Sequence, residues 1–197
     1  MGESNGKSTL GNEILGYNAF TTYDSSKIET KEFSLRKGGE KNNLFVIDSP
    51  PIEESSVINK KYINQLMNFI KEQNELNAII FVFNYIQVRF PHHVQTILKF
   101  LFEIFKNKKL ENHIALIFTN SFNKIGRPTP EDKCKKLDKI IPELKRIIEE
   151  ENGGKRFSFP WGFVDNDSEE GNYIEGKMDL ERIIAWASSL DNLIFNN

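Results

Sequence analysis

Met1-Gly2-Glu3-Ser4-Asn5-Gly6-Lys7-Ser8-Thr9 opens the chain, a glycine-bearing turn that closes on Gly-Lys-Ser and runs straight into a helical pattern. A turn of this kind aims backbone N–H groups at a polyphosphate, lets the lysine reach the outer phosphates and sets the serine hydroxyl on Mg²⁺. The helix start adds the positive end of its dipole. Gly2, Glu3, Ser4, Asn5, Gly6, Lys7, Ser8 and Thr9 are therefore the candidate phosphate-binding residues, with Ser8 as a metal ligand. The usual spacing is G-x-x-x-x-G-K-S/T, and Gly2 to Gly6 is one residue short. Either the loop has lost a residue, or Met1 stands in the first glycine's place and Ser4 replaces the small residue inside the turn. Gly6, Lys7 and Ser8 survive in both readings.

Outward from the loop, short apolar runs alternate with amphipathic ones, the pattern of an α/β sheet covered on both faces. Phe45–Asp48, Ala78–Phe83, Ile114–Phe118 and Phe159–Val164 are continuous and bounded by polar residues, as buried parallel strands are. Helices are expected over Ser8–Leu15, closed by Gly16, and over Val57–Gln73, His92–Phe105, Pro130–Asn152 and Met178–Leu190. Thr30–Leu35 and Asn43–Ile47, joined through Lys37-Gly38-Gly39, read as an antiparallel hairpin at one edge. Ligands on such sheets lie beyond the carboxyl ends of the strands. There, Asp48 ends the strand that follows the loop helix and is placed to hold Mg²⁺ through water, opposite Ser8. Thr30, after the polar stretch Thr21–Lys27, is the candidate for a second oxygen on the metal.

Composition narrows the classes. With 197 residues, 39% hydrophobic and 27% charged, the chain is long enough for one domain with a full core, assigned to 1–197. A net charge of −2, with lysines interspersed among acids, argues against a nucleic-acid surface. The single Cys134 excludes an internal disulfide and fits a reducing compartment. No apolar run approaches the roughly 18 to 20 residues of a membrane span and no secretory signal precedes the loop. A cytoplasmic protein without a transmembrane anchor is the expectation. N-myristoylation at Met1-Gly2 is disfavoured because Gly6 stands where that pattern wants Ser or Thr.

Several other features take a structural reading. His92-His93 have no Cys or acidic partners at metal spacing and are expected to face solvent. Asp165, Asp167, Glu169 and Glu170 have some of the spacing of a calcium loop, but Glu170 occupies the turn-glycine position, so a solvated acidic loop is expected. Phe100, Phe102 and Phe105 read as core, and Trp161 and Trp186 as core or interface.

Longer matches resemble one family. Gly6-Lys7-Ser8-Thr9-Leu10-Gly11-Asn12-Glu13-Ile14-Leu15-Gly16 is similar to the G-K-S-x-x-G-N-x-I-L-G of the AIG-type GTPases, the immunity-associated nucleotide-binding (IAN/GIMAP) family of septin-related P-loop proteins. Phe45–Pro50 resembles that family's strand ending in D-T-P-G, Arg89-Phe90 its R-F-T box, and Leu116–Thr119 the strand before its base-reading motif. The resemblance covers nearly the whole chain. It implies a Ras-like P-loop NTPase fold, a three-layer α/β/α domain, binding GTP or GDP with Mg²⁺. It also implies nucleotide contacts from Thr119-Asn120 and, by position, from Asp165-Asn166, with hydrolysis linked to homodimerisation through the nucleotide face.

The departures from the family fall on working positions. The D-x-x-G glycine that donates to the γ-phosphate is Pro51 here, which has no N–H. The guanine-reading Asp, three residues after Thr119, is Phe122. No water-positioning base is evident, so slow GTP hydrolysis, if any, is expected and no catalytic residue is assigned. The alternatives are a pseudo-GTPase or truncated copy acting as a non-catalytic protein-binding module and, third, an ATP-using P-loop enzyme. Family members also carry a strand before the loop, central in the sheet. About five buried apolar side chains at about 1.5–3 kcal/mol each make that strand worth about 7–15 kcal/mol, against a typical domain stability of about 5–15 kcal/mol. The expectation is a late start codon or truncated copy whose chain, as written, is marginal or unfolded unless a partner or upstream segment fills the slot.

Overall fold

The computed structural model describes residues 5–22, 32–39, 43–50, 60–73, 75–86, 90–105, 109–120, 129–154, 157–164 and 173–194. Their elements are α1 (Lys7–Leu15), β1 (Ser34–Gly38), β2 (Leu44–Asp48), α2 (Lys60–Gln73), β3 (Glu75–Leu76), β4 (Ile79–Asn84), α3 (His92–Ile104), β5 (Ile114–Thr119), α4 (Pro130–Glu151), β6 (Trp161–Phe163), α5 (Tyr173–Ser188) and β7 (Leu193–Ile194). A single 3-10 turn, Leu110–His113, leads into β5.

The centre is a parallel sheet in the order β4-β5-β6. Ile79 pairs with Ile114 and the register runs to Asn84 opposite Thr119, while Phe118 stands opposite Phe163. Because side chains alternate along a strand, the continuous apolar runs feed two cores. Phe81, Phe83, Leu116, Phe118 and Phe163 join α2, α3 and α4 on one face. Ile80, Val82, Ala115, Ile117 and Val164 join Leu10 and Ile14 of α1 and Leu180 and Ile183 of α5 on the other. All six residues of β5 are buried. The result is the three-layer α/β/α arrangement.

The hairpin β1–β2 forms its own two-stranded antiparallel sheet, with Ser34 opposite Asp48 and Gly38 opposite Leu44. Lys37 and Gly38 lie inside β1, so the turn falls after them and not on the expected Lys37-Gly38-Gly39. Helix α1 spans the two sheets on one face: Gly11 lies against Val46 of β2, while Leu10 and Ile14 reach the β4–β5 side. Its C-terminus is docked to the hairpin by Gly39 N–H donating to the Leu15 carbonyl at 2.9 Å and by the Tyr17 hydroxyl donating to the Lys37 carbonyl, also at 2.9 Å. On the opposite face, Phe33 at the entry to β1 packs its ring 5.4 Å from Tyr62 and 5.5 Å from Phe69 of α2.

Three features differ from the sequence reading. β6 contains only Trp161–Phe163, α5 starts earlier at Tyr173, and a short β3–β7 antiparallel pair had no periodic signal to announce it. The β3–β4 connection is held by Asn77, whose amide donates to Asn192 Oδ1 at 2.6 Å and to the Leu190 carbonyl at 3.2 Å. Helix α2 is described from Lys60; the expected start at Val57 lies outside the described residues. His92 and Cys134 are exposed, Phe105 is buried, Phe102 packs on the larger core, and Trp186 packs on the smaller one. Among the described residues, no helix is long and apolar enough to cross a membrane.

Candidate nucleotide-binding site

Gly6 is the N-cap of α1 and takes a left-handed conformation, φ 69°, which a residue with a Cβ adopts only with strain. That turn sends the chain directly into the helix, and Leu10 N–H donates to the Gly6 carbonyl at 2.9 Å. Gly6 has no side chain with which to cap the first-turn amides, so they are presented at the helix mouth as hydrogen-bond donors. At the same mouth the Ser8 hydroxyl donates to Asp48 Oδ2 at 2.7 Å, bridging 40 residues of sequence and joining α1 to the end of β2. Asp48 is 4% exposed. Burial pushes the Lys7 ammonium below its ordinary pKa, and attraction to Asp48 offsets part of that shift. Its desolvation is the larger effect.

Thr119 ends β5 fully buried. Its hydroxyl points to the Asn5 carbonyl at 2.9 Å and to the Phe83 carbonyl at 3.3 Å, so it braces the loop preceding α1 against the sheet. Asn120 follows with φ 54°, a left-handed position that asparagine tolerates better than most residues. The Tyr85 N–H donates to the Thr119 carbonyl at 2.8 Å, holding the exits of β4 and β5 together. The carboxyl ends of β2 and β5 and the N-terminus of α1 therefore meet.

Asn5, Gly6, Lys7, Ser8, Asp48 and Thr119 are joined by these contacts, with Thr9 in the first turn of α1 and Asn120 directly after Thr119. Gly2, Glu3, Ser4, Thr30, Asp165 and Asn166 lie outside the described residues, as do Pro51, Arg89 and Phe122. Two residues had no role assigned from the sequence. Asn12 holds Phe20 through both backbone groups: its amide donates to the Phe20 carbonyl at 2.8 Å, and its carbonyl oxygen accepts from the Phe20 N–H at 2.7 Å. In Tyr62 of α2, burial, with the Asp48 charge and against a smaller opposing effect of the Ser49 side chain, pushes the phenol up to about 12. An aromatic at the apolar stripe of a helix reads as core, so nothing in the spacing separated Tyr62 from Leu66 or Phe69.

The Ser8 hydroxyl and Asp48 carboxylate are hard oxygen donors of the kind Mg²⁺ takes, and their 2.7 Å separation lets one ion be served by both, directly by Ser8 and through water by Asp48. Among the described residues no group of three or more His, Cys, Asp or Glu is placed to hold a metal. A cation at Ser8 would therefore complete its coordination with phosphate oxygens and water.

The AIG1 family model matches residues 1–159. This chain belongs to the AIG1 family. The AIG1-family chain is 29% identical over 149 residues to immune-associated nucleotide-binding protein 13 of Arabidopsis thaliana, covering 74% of the chain and 43% of that protein. It thus spans less than half the length of this curated relative. Among solved structures it resembles Toc33 of Arabidopsis thaliana in complex with Mg²⁺ and GMPPNP, with TM-score 0.71 and 14% identity over 97% of the chain and 83% of Toc33. A second similar structure comes from a study of dimerisation in the GTPase activity of the chloroplast translocon components atToc33 and psToc159, with TM-score 0.71 and 12% identity over 94% of the chain and 80% of that one. At these identities the likeness establishes the Ras-like P-loop fold.

Proposed function

We propose that this AIG1-family domain binds a guanine nucleotide with Mg²⁺ at the mouth of α1 and turns GTP over slowly. The observation that carries the reading is the Ser8–Asp48 hydrogen bond beside a desolvated Lys7. Together they set a cation, a metal-ligand hydroxyl and a carboxylate around one helix N-terminus. Lys7 would neutralise the β and γ phosphates, the α1 amides would receive phosphate oxygens, and Ser8 with Asp48 would hold the ion. Mg²⁺ would supply charge neutralisation across those phosphates. Gly2, Glu3, Ser4 and Thr9 would complete the phosphate loop, Thr30 would add a metal oxygen, and Asn120, Asp165 and Asn166 would border the base. Thr119 contributes as the brace of the Asn5 backbone. Complexes of the similarly folded Toc33 with GMPPNP and Mg²⁺ support the nucleotide and ion. The importance of dimerisation for the GTPase activity of the similarly folded atToc33 and psToc159 supports self-association, for which the nucleotide face is the surface proposed here.

A second reading has its own support. Pro51 removes the N–H that would meet the γ-phosphate, and Phe122 stands in place of the guanine-reading carboxylate. Both favour a domain that holds nucleotide without turning it over and acts through protein contacts. Phosphate release from GTP, measured on wild type and Lys7→Ala purified identically, separates the two. Turnover that disappears with Lys7→Ala supports a GTPase. Equal background rates in both proteins support the non-catalytic module.

A further inference from the structure

β6 is an outer strand of the central sheet, with β5 on one side and, among the described strands, none on the other. In a parallel ladder alternate residues turn their backbone groups to opposite sides. The Pro160 carbonyl accepts from Leu116 N–H at 3.0 Å and Val164 N–H donates to the Phe118 carbonyl at 2.8 Å, so these two residues face β5. Trp161 and Phe163 therefore face outward. Two side chains of α5 meet them there: Phe163 N–H donates to Asp179 Oδ2 at 2.9 Å, and the Arg182 guanidinium donates to the Trp161 carbonyl. The same guanidinium donates to Asp179 Oδ1 at 2.9 Å, so the carboxylate and the cation form one unit along the strand. A residue of a neighbouring parallel strand would use its own C=O and N–H on those two backbone groups. Gly162 permits the approach. A Cβ there would lie 3.0 Å from both Asp179 Cβ and Ile183 Cδ1, which leaves little room for a side chain between α5 and the strand.

We propose that the Asp179–Arg182 pair stands in for a further strand and closes the outer edge of β6, and that without it this edge takes the β6 edge of a second copy. An open edge is a row of unpaired donors and acceptors that templates strand addition, and charged side chains are one means of blocking it. Here the block is bonded to the backbone itself, through hydrogen bonds that charge strengthens. A second copy is the occupant because its edge presents the same Trp161 carbonyl and Phe163 N–H. Two identical edges meeting about a two-fold axis set the carbonyl of each against the N–H of the other. Trp161 adds apolar area to that contact: it is 37% exposed, with its ring 5.7 Å from that of Phe163. The proposal is independent of nucleotide.

Asp179→Ala combined with Arg182→Ala opens the edge. Without nucleotide, light scattering after size exclusion should give the double variant a dimer dissociation constant about tenfold or more below that of wild type. Hydrogen exchange locates the contact. The Phe163 amide, bonded to Asp179 in wild type, should exchange fast in the dilute double variant and slowly again in its dimer. Trp161→Lys added to the double variant puts a charge on the edge and should return the mass to that of wild type. Equal masses for wild type and double variant, or a dimer in which Phe163 still exchanges fast, would overturn the proposal. If circular dichroism shows the double variant unfolded, Arg182→Ala alone decides, since it frees the Trp161 carbonyl and leaves Asp179 on Phe163. It should dimerise more than wild type, and no gain refutes the proposal.

Discussion

Two neighbours in α1 show how a residue's reason can be hidden in a legible motif. Gly11 and Asn12 stand inside the stretch that resembles the family pattern, yet neither touches the candidate phosphate site in any described contact. A Cβ on Gly11 would lie 2.8 Å from the Phe20 ring, and Asn12 closes on the Phe20 backbone with hydrogen bonds of 2.8 and 2.7 Å. The pair fixes the chain where it returns under α1, just ahead of the segment that contains Thr30. Sequence spacing offered no sign of this, because an amide binding a backbone eight residues on has no periodicity. Asn12→Ala would leave the Phe20 N–H and carbonyl unsatisfied in a buried setting. Denaturant unfolding should show a loss of about 1–3 kcal/mol, with Asn12→Asp intermediate because it keeps the acceptor. That Lys7, Ser8 and Asp48 come together was readable by contrast, since their types and their order along the chain are those of a phosphate-loop pattern.

At the scale of elements, the parallel strands and the helix starts were the most legible. Thr129, Pro130 and Asp132 announce α4, and the structure closes the capping box: Asp132 N–H donates to Thr129 Oγ1 at 3.2 Å, and Thr129 N–H donates to Asp132 Oδ2 at 3.0 Å. The hairpin turn was misplaced because Gly38, read as a turn residue, is a strand position with little room beside it: a Cβ there would meet the Leu15 carbonyl at 2.8 Å. Close approach, not turn geometry, selected that glycine. Helix α4 also carries a pH signature. Lys136 lies over the Tyr85 ring at 5.5 Å, and burial, with repulsion from Lys139, lowers its pKa to about 8. Between pH 8 and its ordinary value near 10.5 the unfolded chain binds more protons at this site than the folded one, so stability from this group rises with pH across that window. Below pH 8 both states are protonated and the contribution is flat. Lys136→Met should remove this rise, checked by comparing the melting temperatures of the two proteins at pH 7.5, 8.5 and 9.5. An unchanged pH dependence in the variant would show that Lys136 is not the group responsible.

The whole molecule follows from alternation along three strands. β4, β5 and β6 divide their side chains between a core under α2, α3 and α4 and one under α1 and α5, which is the architecture that continuous apolar runs between amphipathic helices foretell. The described strands form three separate sheets, and α1 and α2 carry the hairpin alongside the central one from opposite faces. Placing β2 there brings Asp48 to Ser8, so the candidate site depends on the packing of the whole and not on a single loop. The base-reading side was less legible because the residues that resemble it, Asp165 and Asn166, are defined by position alone, and the expected acidic reader is Phe122. The direct test is a thermal melt of the chain alone and with Mg²⁺ plus GDP, GMPPNP or ADP, all at one concentration set about a hundredfold above the Kd for GDP, where GDP binding to the folded state contributes about 2.7 kcal/mol. The account predicts a cooperative transition that guanine nucleotides raise, that ADP raises less, and that becomes nucleotide-insensitive in Lys7→Ala. A sharp transition that no nucleotide moves, or an equal rise in Lys7→Ala, would contradict it.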